Sequence, residues 1–256
     1  MRPLFTTIAA ACLLGAVALP ARAEPPQLFG TVEFRTNSLS ALPEWQRTLA
    51  QIAQEGATYD ACAAADEACP TLGVRAWLRM IRAQSDHAQI EQLRAINQFL
   101  NDWRYKPDSL NYGRRDYWAT PLEFLARSGD CEDYAIAKYV TLRRLGYADE
   151  RLRLVVVRDV DRDVAHAVLA VYLDEDVYIL DNLSSRVMSQ AEVTHYVPYY
   201  SINETSRWAH VTPLEMLVSG RAAGVAPSGG RQATPHREVA DGTWPWPQLS
   251  HPTRRH

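Results

Sequence analysis

Apolar residues fall at helical spacing through the first half of the chain and at strand spacing through much of the second. Leu42, Trp45, Leu49 and Ile52 recur every three or four positions and predict a helix over Leu42–Ala53, with Pro43 tolerated in its first turn. Trp77, Met80 and Ile81, followed by Ile90, Leu93, Ile96, Phe99 and Leu100, predict a longer helical region that runs up to Asp102. Pro121 opens a short helix, Leu122–Ala126, and Arg127-Ser128-Gly129-Asp130 forms the turn into the next. From Cys131, apolar positions at Tyr134, Ile136, Ala137, Val140, Leu142 and Leu145 fill about four turns before Gly146 stops them. Strands are predicted over Leu152–Arg158, Ala165–Leu173 and Val177–Leu180. The last two are joined into a hairpin by Asp174-Glu175-Asp176. Further strand-like segments recur at Tyr196–Ile202 and Trp208–His210, and Leu28–Phe34 reads as a short strand ahead of the helices.

Helices followed by an antiparallel sheet make an α+β domain, with a helical part over about 40–146 and a sheet part over about 150–213. Tyr105–Trp118 lacks periodicity and is rich in Asn, Asp, Gly, Arg and aromatic residues. It reads as a loop forming one wall of a cleft.

The apolar stretch Leu4–Pro20, preceded by Arg2 and followed by Ala21-Arg22-Ala23, has the form of a cleaved secretory leader over residues 1–23. A membrane anchor is the alternative, but the stretch is short for a span, and no second stretch approaches that length. Cys12 lies too far inside it for a lipoprotein site. The expected product is a periplasmic or exported protein with no direct membrane insertion. Arg2 and Arg22 leave with the leader and no acid does, so the net charge moves from −3 to −5. That acidity gives no electrostatic footprint for nucleic acid. The length from residue 24 to 220 suits one domain with a real core. Residues 221–256 hold five of the fifteen prolines and read as a disordered tail.

An oxidising compartment permits disulfides. Cys62 and Cys69 bracket a short segment closed by Pro70, where a local bridge would fix a loop between two helices. Two free thiols or half of a metal site are the alternatives, and no histidine lies nearby to favour metal. Cys131 is left over, an odd thiol within Gly129-Asp130-Cys131-Glu132-Asp133-Tyr134 at the start of a helix. There, free backbone N–H groups and the helix dipole favour a thiolate and offer a site for an oxyanion. His166 begins one strand of the hairpin and Asp181 ends the other, so the pairing can bring them together as base and orienter. Asp130, Glu132 and Asp133 oppose a thiolate by like charge. A bound cation removes the conflict, and clustered carboxylates without soft ligands suit Ca²⁺. Further ligands would come from the Asp159–Asp163 or Asp174–Asp176 turns, or from backbone carbonyls. In the bland reading the acids only cap the helix. His195 and His210 are weaker catalytic candidates, one in a polar turn and one beside Trp208.

The string Gly129-Asp130-Cys131-Glu132-Asp133-Tyr134-Ala135-Ile136-Ala137-Lys138-Tyr139, with Ala165-His166-Ala167-Val168, Leu180-Asp181-Asn182 and Trp118-Ala119-Thr120-Pro121, resembles the bacterial transglutaminase-like cysteine proteinases of the LapG type over roughly Leu28–Pro213. The resemblance implies a papain-like or transglutaminase-like fold. It also implies a calcium-dependent periplasmic endopeptidase that trims the N-terminal region of a large surface adhesin and disperses biofilm. By the same resemblance, Cys131 is nucleophile, His166 base and Asp181 orienter, and Asp130, Glu132 and Asp133 are the calcium-associated acids. It implies two partners: the adhesin, cut at a small-residue, alanine-containing site, and the periplasmic domain of an inner-membrane cyclic-di-GMP receptor, which inhibits the protease. A transglutaminase with the same triad, or a non-catalytic periplasmic binding module, are the other readings.

Overall fold

The computed structural model describes residues 26–174 and 176–213. The leader over 1–23 and the tail over 221–256 lie outside the described residues. β1 (Val32–Thr36) precedes six helices: α1 (Pro43–Ala64), α2 (Leu72–Gln84), α3 (Gln89–Asn101), the single turn α4 (Asp108–Asn111), α5 (Pro121–Arg127) and α6 (Cys131–Arg144). β2 (Leu152–Asp159), β3 (Val164–Leu173), β4 (Asp176–Leu180), β5 (Met188–Ser189), β6 (Tyr196–Ile202) and β7 (Arg207–Val211) follow.

The helical region expected to run to Asp102 is two helices. Ser85-Asp86-His87-Ala88 interrupts it where no apolar residue larger than alanine falls between Ile81 and Ile90. α2 begins at a Thr71 cap whose hydroxyl accepts from Val74 N–H, and Cys62 and Cys69 form a disulfide that ties the end of α1 to this entrance. The expected strand at Leu28–Phe34 starts later, because Leu28–Gly30 forms a tight turn with Phe29 and Gly30 at positive φ. β5 escaped the sequence reading, being only two residues long.

All seven strands form one antiparallel sheet in the order β1-β7-β6-β2-β3-β4-β5. Both faces are buried. Leu152, Leu154, Leu169, Val171 and Leu173 face the helices, while Val155, Val157, Val168, Ala170 and Tyr172 join Leu28, Val193 and Tyr196 in a second, smaller core. Coverage on both sides explains why β3 reads as an almost unbroken apolar run instead of alternating. Pro198, which has no N–H for the ladder, sits in β6 at the register shift between Val156 and Val157 of β2.

α6 is the axis of the helical layer. Its residues from Cys131 to Leu142 are all buried, packed among α3, α5, β2 and β3. Buried polar groups find partners around it: Trp77 Nε1 donates to Thr141 Oγ1 at 2.7 Å, and Trp45 Nε1 donates to the Asn203 carbonyl at 2.8 Å. Among the described residues, no helix is long and apolar enough to cross a membrane.

Candidate active site and acidic cluster

Gly129 and Asp130 set the entrance of α6. A Cβ on Gly129 would stand 2.0 Å from Asp133 Oδ2, so only glycine leaves room for the carboxylate that accepts from the Asp130 N–H at 3.2 Å. The Gly129 carbonyl in turn accepts from Lys106 N–H at 2.8 Å, and Tyr105 forms an isolated parallel bridge with Gly129. The loop read as a cleft wall is therefore fastened to the turn that delivers the cysteine.

Cys131 occupies the first position of α6 and is 6% exposed. Its thiol donates to Glu132 Oε2 at 3.1 Å. Burial drives its pKa well above the ordinary thiol value, the charges of Glu132 and Asp130 add to this, and a hydrogen bond from the Ala167 backbone opposes them. That contact lays the sulfur against β3 at Ala167, the residue that follows His166.

The hairpin pairs Leu169 with Leu180, which brings Asp181 level with Val168, two residues along β3 from His166. His166 Nε2 and Asp181 Oδ1 lie 2.8 Å apart, both buried. With Nε2 turned to the carboxylate, Nδ1 is the ring nitrogen left for a thiol proton. Asp181 also accepts from Tyr196 Oη at 2.6 Å and from Leu183 N–H at 2.9 Å. Burial alone would raise its pKa, but the hydrogen bonds and charge of His166, with help from Tyr196 and Leu183, hold it below the usual carboxylate range. Sequence reasoning missed Tyr196, which reads only as a strand aromatic. His210 bridges Thr31 and Ser201 at 2.8 Å each, with its pKa lowered by burial to about 4, and so is a structural residue of β7. The ring of His195 packs on Tyr196 at 4.2 Å between centroids.

The three acids flanking Cys131 do gather, joined by two that the sequence did not single out. Carboxylate oxygens of Asp108, Asp116 and Glu132 lie within 4.8 Å of one another, as do those of Asp108, Asp130 and Asp133. Asp108 and Asp116 come from the Tyr105–Trp118 wall, whose polar character was the available signal. The turns named as further ligand sources lie elsewhere: Asp159 pairs with Arg162 at 2.6 Å, Asp163 with Arg158 at 2.5 Å, and Asp176 accepts from Ser189 at 3.0 Å.

This donor set fits a hard cation. All its ligand atoms are carboxylate oxygens, and Asp108 Oδ1 is buried without a hydrogen-bond partner. Among the described residues, Asp108, Asp116, Glu132 and Asp133 form no ion pair with a basic side chain. Burial first and mutual repulsion next push Asp108 up to about 7 and Asp116 to about 6, and raise Glu132 and Asp133 well above their ordinary values. Part of each carboxylate is already committed: Asp133 Oδ1 accepts from Ala119 N–H at 2.6 Å, Asp130 Oδ2 from Asp108 N–H at 3.2 Å, and Asp108 Oδ2 from Tyr117 N–H. These bonds hold the cluster in shape.

A profile described as bacterial transglutaminase-like cysteine proteinase, BTLCP, matches residues 51–215. Solved structures of Legionella pneumophila LapG are similar to this chain. The calcium-bound form is 32% identical, with a TM-score of 0.50, covering 54% of this chain and 77% of that one. The EGTA-treated form is 29% identical, with a TM-score of 0.51 and coverage of 69% and 89%. A third LapG structure is 30% identical, with a TM-score of 0.50 and coverage of 56% and 80%. Among curated proteins, none matches the chain.

Proposed function

The chain belongs to the bacterial transglutaminase-like cysteine proteinase family, and from that premise we propose that it is a calcium-dependent periplasmic endopeptidase that cuts the N-terminal region of a large surface adhesin. It is a cysteine peptidase with the papain-like, transglutaminase-like α+β fold expected from the sequence. The observation that carries the proposal is the placement of Cys131 at the first turn of α6 against Ala167, with the neighbouring His166 held by Asp181 at 2.8 Å.

In the proposed reaction His166 Nδ1 takes the proton from Cys131, and the sulfur attacks the scissile carbonyl. The backbone N–H of Cys131, free at the helix terminus, receives the oxyanion. Asp181 stays ionised under its three donors, fixes the ring orientation and stabilises the imidazolium. His166 then protonates the leaving amine, and water hydrolyses the thioester. Asp108, Asp116, Asp130, Glu132 and Asp133 are the residues to hold Ca²⁺, which when bound supplies the positive charge that lets them ionise together beside the thiol.

Support for calcium comes from the all-carboxylate cluster and from the calcium-bound and EGTA-treated forms of the similar LapG structures. Export is supported by the Cys62–Cys69 disulfide. The periplasmic domain of a cyclic-di-GMP receptor is the proposed inhibitor, with the nucleotide acting on the receptor alone, and adhesin release then promotes biofilm dispersal. The test is incubation of an N-terminal adhesin fragment with the protein in calcium, in a calcium chelator, and with Cys131→Ala. The proposal requires calcium-dependent cleavage lost in the variant. Crosslinked fragment or incorporated amine would assign a transglutaminase instead.

A further inference from the structure

The proposed mechanism leaves the oxyanion with one donor, the Cys131 N–H, and the wall opposite offers another. Tyr105 is bridged in parallel to Gly129, and the adjacent Lys106 N–H binds the Gly129 carbonyl at 2.8 Å. Residue 105 is thus laid alongside the turn two residues before the nucleophile. Asp108 N–H, bound to Asp130 Oδ2 at 3.2 Å, fastens the same segment a second time. The backbone of residue 105 is therefore held in a fixed position at the head of α6.

The side chain is 41% exposed, open to an incoming polypeptide. Three neighbouring tyrosines spend their hydroxyls on the fold, Tyr117 donating to Glu123 at 2.7 Å, Tyr134 to the Trp103 carbonyl and Tyr196 to Asp181 at 2.6 Å, while Tyr112 Oη has no partner but is buried away from an incoming chain. The Tyr105 hydroxyl donates to no group among the described residues. Partial burial raises its pKa, and of the charges acting on it Cys131 contributes most, ahead of Asp130, Glu132 and Asp108. Like any tyrosine hydroxyl it keeps its proton through the neutral range, and its backbone lies alongside the turn that delivers the sulfur.

We propose that the Tyr105 hydroxyl is the second oxyanion donor, hydrogen-bonding the carbonyl oxygen as Cys131 attacks. No bond to tyrosine forms or breaks, and the hydroxyl only shares its proton with the developing charge. The assignment rests on the peptidase reading above. A donor aimed at the developing oxyanion acts mainly in the transition state, so its loss lowers kcat far more than it alters KM.

The test uses Tyr105→Phe, which keeps the ring and its backbone bridge, with three measurements in calcium. Alkylation of Cys131 by iodoacetamide passes through no oxyanion and is expected to change less than about twofold, because it reads only the thiolate. Cleavage of the adhesin fragment is expected to lose about 10- to 100-fold in kcat with KM nearly unchanged. An alanine-terminated peptide aldehyde, which forms a tetrahedral adduct with the thiol, is expected to bind more weakly by a similar factor. Unchanged kcat and aldehyde affinity would overturn the assignment. So would a parallel fall in alkylation, which would place the hydroxyl on the thiol. If wild type cleaves no adhesin fragment yet binds the aldehyde more tightly than the variant, the substrate reading fails and Tyr105 stands.

Discussion

Removing the proposed Ca²⁺ from the acidic cluster should make stability depend on pH in a defined direction. Asp108 has its folded pKa raised from 3.8 to about 7, by burial and then by the charge of Asp130. A raised carboxyl contributes stability that is fully present below its unfolded pKa and is lost as pH rises through its folded pKa. Between pH 5 and 8, Asp108 alone therefore costs the cation-free protein about 2–3 kcal/mol, from about 1.4 kcal/mol per unit. Asp116, raised to about 6, acts in the same direction, though charges so close do not titrate independently. Calcium at a hundredfold excess over its Kd adds about 2.7 kcal/mol where it binds, and protons compete with it at low pH. The assay is urea denaturation of chelated and calcium-loaded protein from pH 5 to 8. The gap between the two forms should widen by about 2–3 kcal/mol across that range, and Asp108→Asn should remove most of the widening. Groups that titrate in both forms, such as His210, cancel in the difference. A gap of zero, or one independent of pH, would show that these carboxylates hold no cation.

Removing the Tyr196 hydroxyl with Tyr196→Phe takes one donor from Asp181, and steady-state kinetics should show kcat down by up to about tenfold with KM unchanged. Lys138 is fully buried, its Nζ has no hydrogen-bond partner, and burial lowers its pKa to about 7 against the opposing pull of Asp181. Stability from this group should therefore rise by about 1.4 kcal/mol per pH unit above pH 7, and Lys138→Met should abolish that slope and raise the urea midpoint near pH 7. Opening the Cys62–Cys69 loop, seven residues in separation, with paired serines should cost about 2–3 kcal/mol in urea denaturation and leave activity per folded molecule intact.

Much of this was legible in the sequence because it is local. A cysteine at the head of an apolar helix and a hairpin with His166 at one end and Asp181 at the other are fixed by short spacings. The break between α2 and α3 is also written in the chain, as the absence of large apolar residues between Ile81 and Ile90. What stayed hidden depends on distant parts of the chain. Asp108 and Asp116 join the acids of α6 only because the Tyr105–Trp118 loop is fastened to Gly129. Tyr196 meets Asp181 through the cover over the second face of the sheet, and β1 closes the sheet edge by pairing with β7, from the other end of the domain. No periodicity encodes such pairings, and Lys138 is buried only because every face of α6 from Cys131 to Leu142 is covered.

In the proposed site, Cys131 is made nucleophilic by His166. This is tested most directly by the pH dependence of Cys131 alkylation with iodoacetamide, in millimolar calcium, for wild type and His166→Ala. The wild-type thiolate should react well below pH 8.5, the ordinary cysteine range, and the profile should move upward when the imidazole is removed. Identical profiles for the two proteins would contradict it.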